Sequence, residues 1–64
     1  YQKFSEALVD FNKAINLSSK GDYYLNRSVC YYRLGDVERA KADARIASQK
    51  GVTIVESYRR LLNL

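Results

Sequence analysis

Cys30 is the only cysteine of the chain, and the sequence holds no histidine to take its proton. A Cys–His or Ser–His–Asp nucleophile therefore cannot be assembled from these residues. A disulfide framework and a zinc finger lack their parts as well. Cys30 is expected as a small buried or half-buried thiol. The carboxylates of Asp36 and Glu38 fall just after Gly35, where a helix is expected to begin, so capping and the helix dipole claim them before general acid/base work does. Arg39 and Asp43, spaced i, i+4, are expected as a surface ion pair worth roughly 0.2–0.5 kcal/mol. What these residue types can do is recognition. Asp22, Leu25, Asn26, Val29 and Arg33 recur at i, i+3, i+4, i+7 and i+11, which places apolar contact area and directional hydrogen-bonding groups on one helical face. The expectation is a non-enzymatic chain with no catalytic residue, cofactor or metal.

Composition narrows the class. At 64 residues with a net charge of +4, the chain is at most one small domain, whose core is marginal without staples or neighbouring material. It contains no Met, and it is expected to be a piece of a larger chain or assembly. No apolar run approaches the length of a membrane span, and no signal-peptide pattern opens the sequence. No membrane contact is expected, and an intracellular, reducing, cytoplasmic setting is the expectation. The charge is unevenly placed. Residues 1–38 carry five basic and five acidic side chains, whereas residues 39–64 carry six basic and two acidic. That excess could attract an acidic peptide or a phosphate backbone, or form a solvated helix surface.

The elements that must position these residues are marked by punctuation. Proline is absent, and the three glycines stand at Gly21, Gly35 and Gly51. Gly21 precedes Asp22, Gly35 precedes Asp36 and Gly51 precedes Thr53, each pairing a left-handed helix stop with a side chain able to cap the next start. Thr53 and Glu56 also fit a capping box. The reading is all-α, with helices near 3–18, 22–34, 37–50 and 54–64. Connections this short fold neighbouring helices back antiparallel, giving a row of helical hairpins.

A repeat lies within that row. Shifting the first segment onto the third by 33 positions matches Ala7 with Ala40, Asp10 with Asp43 and Ala14 with Ala47; a shift of 34 matches Tyr24 with Tyr58 and Asp22 with Glu56. The matches fall at small and aromatic positions, where an Ala lets two backbones approach and a ring fills the adjacent space. With Tyr24, Ser28, Tyr31, Gly35, Ala40 and Ala47 in this register, and "YYRLGDVERAKAD" across the central turn, the chain resembles the tetratricopeptide repeat, a helix–turn–helix unit of about 34 residues. On that resemblance residues 1–20 are the second helix of a first repeat, 21–54 a full repeat and 55–64 the start of a third, about one and a half to two repeats of a solenoid. Three departures stand out. Val52 replaces the terminal Pro and Arg27 stands where Leu is usual. Ala44 replaces a large aromatic, a gap for Tyr58, Leu61 or Leu62 to fill.

The resemblance implies that Tyr24, Arg27, Ser28 and Tyr31 pack inward. It also implies that the opposite face, with Leu25, Asn26, Val29 and Arg33, looks into a concave groove, joined by Arg60 of the following unit. A groove of this kind suits a peptide or partner protein. The same residues could instead be covered by a helix of a preceding repeat. In the carboxylate-clamp subset of the family, which holds a chaperone's C-terminal tail, Asn26 and Arg60 match clamp positions, while Glu56 stands where a Lys is needed. A basic nucleic-acid-binding repeat is the rival reading. Against it, Tyr24, Tyr31 and Tyr58 are claimed by packing, and the basic residues of the third segment point several ways.

Overall fold

Among the described residues, three of the four helices end in the same backbone motif, and these stops define the architecture. The computed structural model describes the backbone of residues 2–64 and the side chains of residues 3–64. Its helices are α1 (Gln2–Leu17), α2 (Gly21–Arg33), α3 (Val37–Gln49) and α4 (Glu56–Leu61), in agreement with the all-α, hairpin-forming reading. At the end of α2, Gly35 N–H donates to the Tyr32 carbonyl at 3.0 Å and Asp36 N–H to the Tyr31 carbonyl at 2.9 Å. At the end of α3, Gly51 and Val52 bond Ser48 and Ala47 in the same way; at the end of α4, Asn63 and Leu64 bond Arg60 and Arg59. Each is a Schellman motif, which needs a left-handed residue just past the helix. Gly35 (φ 87°), Gly51 (φ 92°) and Asn63 (φ 57°) supply it.

That third stop corrects the expected extent of the last helix. The segment expected over 54–64 is helical only over Glu56–Leu61, because Asn63 is one of the few residues other than glycine that tolerate the left-handed region. The expected capping box does not form. Val55 occupies the N-cap without a side-chain bond, and Glu56 reaches Arg60. Gly21 is corrected too. It has no positive φ and is the first residue of α2, capped by Lys20 with no side-chain bond. Asp36 does cap α3, its carboxylate accepting from Arg39 N–H at 3.2 Å.

Gly21 is required for closeness. A Cβ placed there would stand 2.5 Å from Val52 Cγ2 and 3.1 Å from Lys50 Cβ. The start of α2 thus presses on the chain leaving α3, and Val52, which replaces the expected Pro, fills that contact.

The helices pack in chain order, α1 on α2 and α2 on α3, into a slab of 26 × 25 × 15 Å. The core is built from small residues. Ala40, Ala44 and Ala47 are fully buried on α3, and Leu62 is fully buried beside Ala40 and Ala44. Tyr31, Tyr32, Val37, Tyr58 and Leu64 close around this cluster. Leu62 and Tyr58 therefore fill the space beside Ala44, whereas Leu61 faces outward. Alanine on one helix admits the close approach of the next, and the rings of α2 and α4 take the volume it leaves.

Candidate functional site

Helix α2 carries two different chemistries on its two sides. On the inner side, Arg27 spans three helices. Its Nε and Nη2 donate to Asp43 Oδ2 and Oδ1 on α3 at 2.7 and 2.8 Å, and its Nη1 donates to Asn12 Oδ1 on α1 at 2.9 Å. The guanidinium carbon also lies 5.4 Å from the Tyr24 ring centre and 5.8 Å from that of Tyr31. Hydrogen bonding to Asp43 raises the Arg27 pKa above its ordinary value against the opposing effect of burial. The planar fork of Arg meets both carboxylate oxygens at once and lies between two rings, a geometry that Lys cannot reproduce.

This pairing replaces the expected surface pair of Arg39 with Asp43. Asp43 is buried and belongs to Arg27, while Arg39 turns back to Asp36 at 3.2 Å. Helical spacing reports only which residues are close along one helix; the partner on α2 lies 16 positions away in the chain. Its signal in the sequence was Arg27 itself, a charged residue at an inward position.

The next residue, Ser28, is fully buried. Its hydroxyl is 2.6 Å from the Ala40 carbonyl and 2.8 Å from Tyr58 Oη. A carbonyl only accepts, so Ser28 donates to Ala40 and Tyr58 donates to Ser28. The chain of bonds joins α4, α2 and α3, and an edge-on contact of Tyr58 with Tyr32 at 6.0 Å supports it. Burial pushes the Tyr58 pKa up, partly offset by the bond to Ser28. Cys30, the thiol between the two faces, is buried, and burial pushes its pKa up as well. A desolvated thiol stays protonated and unreactive. Among the described residues, no group of three or more His, Cys, Asp or Glu side chains could hold a metal ion.

The outer side of α2 carries the residues expected to bind. Leu25 is half-buried, while Asn26, Val29 and Arg33 are exposed. The polar bonds of α2 to α1 and α3 run from Arg27 and Ser28. Arg60 sits on α4, where its Nη2 bonds Glu56 Oε1 at 3.0 Å in an exposed i, i+4 pair. Two clefts open elsewhere. One lies between α3 and the chain from Gly51 to Leu64, the other between the α1–α2 turn and the end of α3.

No family model matches the chain, and no solved structure matches it. Among curated proteins it is similar to sperm-associated antigen 1 of Mus musculus, with 33% identity over 63 residues, covering 95% of this chain and 7% of that protein. That relative contains tetratricopeptide repeats, and the likeness is consistent with a repeat of this type in the hairpins described above. Among the described residues, no helix is long and apolar enough to cross a membrane.

Proposed function

We propose that this segment is a non-enzymatic protein-interaction or assembly scaffold that presents the outer face of α2 to a peptide or partner protein. The observation that carries this reading is the division of labour on α2. Its inner side is satisfied by Arg27–Asp43 and Ser28–Ala40 bonds, while Leu25, Asn26, Val29 and Arg33 are aligned on another side and, among the described residues, Asn26 and Arg33 make no side-chain hydrogen bond. Leu25 and Val29 offer apolar area, and Asn26 and Arg33 fix orientation. A preformed helical face also requires little reordering on binding, so a few anchors suffice. In this reading residues 21–54 form the complete repeat, flanked by parts of two others, and Arg60 contributes from the following unit.

The carboxylate-clamp version has less support. Glu56 stands where the clamp needs a Lys, and its carboxylate repels a chain-terminal one. The test is a quantitative pull-down with the full-length protein against the Asn26→Ala, Arg33→Glu double variant, with helicity checked by circular dichroism. A partner lost from the variant alone supports the face as the binding surface. An unchanged partner set rejects it.

A further inference from the structure

The positive charge of the C-terminal half has a place to act. Residues 39–64 hold two carboxylates, and both are spent: Asp43 on Arg27 and Glu56 on Arg60. Arg39 is matched by Asp36. Among the described residues, Arg45 and Arg59 have no carboxylate within salt-bridge distance, and both line one cleft of ≈ 710 Å³ between α3, the Gly51–Val55 connection and the C-terminal turn. One arginine comes from α3 and the other from α4. The lining between them is mixed, with Val52, Ile54 and Leu64 half-buried and Ser48, Thr53 and Asn63 exposed.

From this arrangement we infer that the α3–α4 cleft is a second binding site, distinct from the outer face of α2, for an acidic peptide segment whose carboxylates flank an aliphatic side chain. Charge complementarity selects the anion, because the two exposed guanidinium groups can each take a carboxylate in the two-pronged way that Asp43 takes Arg27. The make-up of the lining selects a peptide over a nucleic acid. A phosphate backbone needs a track of cations, and unpaired bases need rings to stack upon; the residues lining this cleft include no aromatic. Hydroxyl and amide groups from Ser48, Thr53 and Asn63 at the rim can serve the peptide backbone. Asn63 holds its place because its left-handed conformation ends α4 and turns Leu64 back onto the core.

The experiment is a fluorescence-anisotropy titration of the full-length protein with a short labelled peptide in which aspartates flank a leucine. Arg45→Glu, Arg59→Glu, Arg33→Glu on the outer face of α2 and, as a variant of equal charge change outside both sites, Lys13→Glu on the exposed side of α1 are compared with the parent. Arg45→Gln and Arg59→Gln serve if a reversal perturbs folding. The expected result is a loss of affinity of roughly fivefold or more for each substitution at Arg45 and Arg59, with little change for Lys13→Glu. An equal loss in Arg45→Glu, Arg59→Glu and Lys13→Glu means generic attraction and overturns the site. Loss confined to Arg33→Glu assigns the peptide to the outer face of α2 instead, and no measurable binding by the parent also overturns the site. A single-stranded RNA oligomer that binds more tightly than the peptide through Arg45 and Arg59 overturns the choice of ligand.

Discussion

Arg27 and Asp43 meet through two parallel bonds, 2.7 and 2.8 Å long, between helices that no short-range rule connects. The carboxylate is almost wholly buried and the guanidinium mostly so, with side-chain exposures of 5% and 20%. Taking two charges out of water is costly, and this pair offsets the cost with two direct bonds, a third to Asn12, and two flanking rings. With alanines forming much of the core, this polar junction determines how α1, α2 and α3 are registered.

Asp43→Ala should therefore be severe. Removing one partner of a buried pair costs about 3–5 kcal/mol. A chain of this length is stabilised by roughly 3–10 kcal/mol in total. The variant should be largely unfolded or strongly destabilised in urea titration. Replacing both partners together, as Arg27→Leu with Asp43→Leu, should restore much of the loss, since an apolar pair of similar volume leaves no buried charge. A double replacement no better than Asp43→Ala would mean that the junction holds the helices through geometry that leucines cannot supply.

Two glycines make opposite demands, which gives a second prediction. Gly35 has φ 87° and open space around its Cα, so Gly35→Ala should cost about 1–2 kcal/mol through backbone strain alone. Gly21 is not in the left-handed region but stands against Val52, a stiff β-branched side chain. Gly21→Ala should cost about 1–3 kcal/mol through overpacking. Combining each with Val52→Ala separates the causes. The Gly21 pair should couple by at least about 0.5 kcal/mol in a double-mutant cycle, and the Gly35 pair should be additive. Equal coupling for both glycines would contradict the contact with Val52.

The contrast between these glycines also shows what the sequence could disclose. Gly35 and Gly51 act through local backbone geometry, so their role as helix stops was legible from position alone. Gly21 acts through a residue 31 positions away, and no local rule reports that distance. The same division runs through the rest of the molecule. Helical periodicity separated the two sides of α2, the repeat resemblance implied which of them packs inward, and the repeat register gave the small residues Ala40 and Ala47. Asp43 was assigned to Arg39 because both lie on one helix; its actual partner required the packing of α2 on α3. The cleft between Arg45 and Arg59 was equally hidden, since it depends on where Asn63 ends α4. Of the candidate site, the outer face of α2 was readable as a helical stripe, whereas the commitment of Arg60 to Glu56 was masked by the expected capping box.

The two possible helix caps yield a third prediction. Asp36 accepts from Arg39 N–H and also pairs with its guanidinium, so Asp36→Ala should cost about 1 kcal/mol. Thr53 has the residue type of a cap but lies outside α4, whose cap is Val55 with no side-chain bond. Thr53→Ala should change stability by less than about 0.5 kcal/mol. Thermal melts of the two variants decide the matter. A loss for Thr53→Ala comparable to that for Asp36→Ala would show that the capping box forms in solution.

The Tyr58 hydroxyl makes stability sensitive to alkaline pH. Burial raises its pKa above the ordinary 10.0, so the folded state holds this proton more tightly than the unfolded one. A raised folded value means that the contribution is fully present below the unfolded pKa and is lost as pH rises through the folded one. The phenol also donates to Ser28, whose own proton is committed to the Ala40 carbonyl, so ionisation removes the donor from a buried chain of bonds. Stability should fall as pH rises past the ordinary tyrosine value, and the fall should be shallower in Tyr58→Phe. Cys30, also raised by burial from 9.0, adds a slope of the same sign that begins lower. Cys30→Ser would introduce a new buried hydroxyl, so Cys30→Ala is the variant that separates the two. Near neutral pH, Tyr58→Phe should cost about 0.5–1.5 kcal/mol for the lost bond. Urea titrations of the parent, Tyr58→Phe and Cys30→Ala across the alkaline range test this directly. If Tyr58→Phe follows the parent at every pH above the tyrosine value, the phenol does not remain protonated in the folded state, and the Tyr58–Ser28–Ala40 chain of bonds is not what fastens α4 to the hairpin.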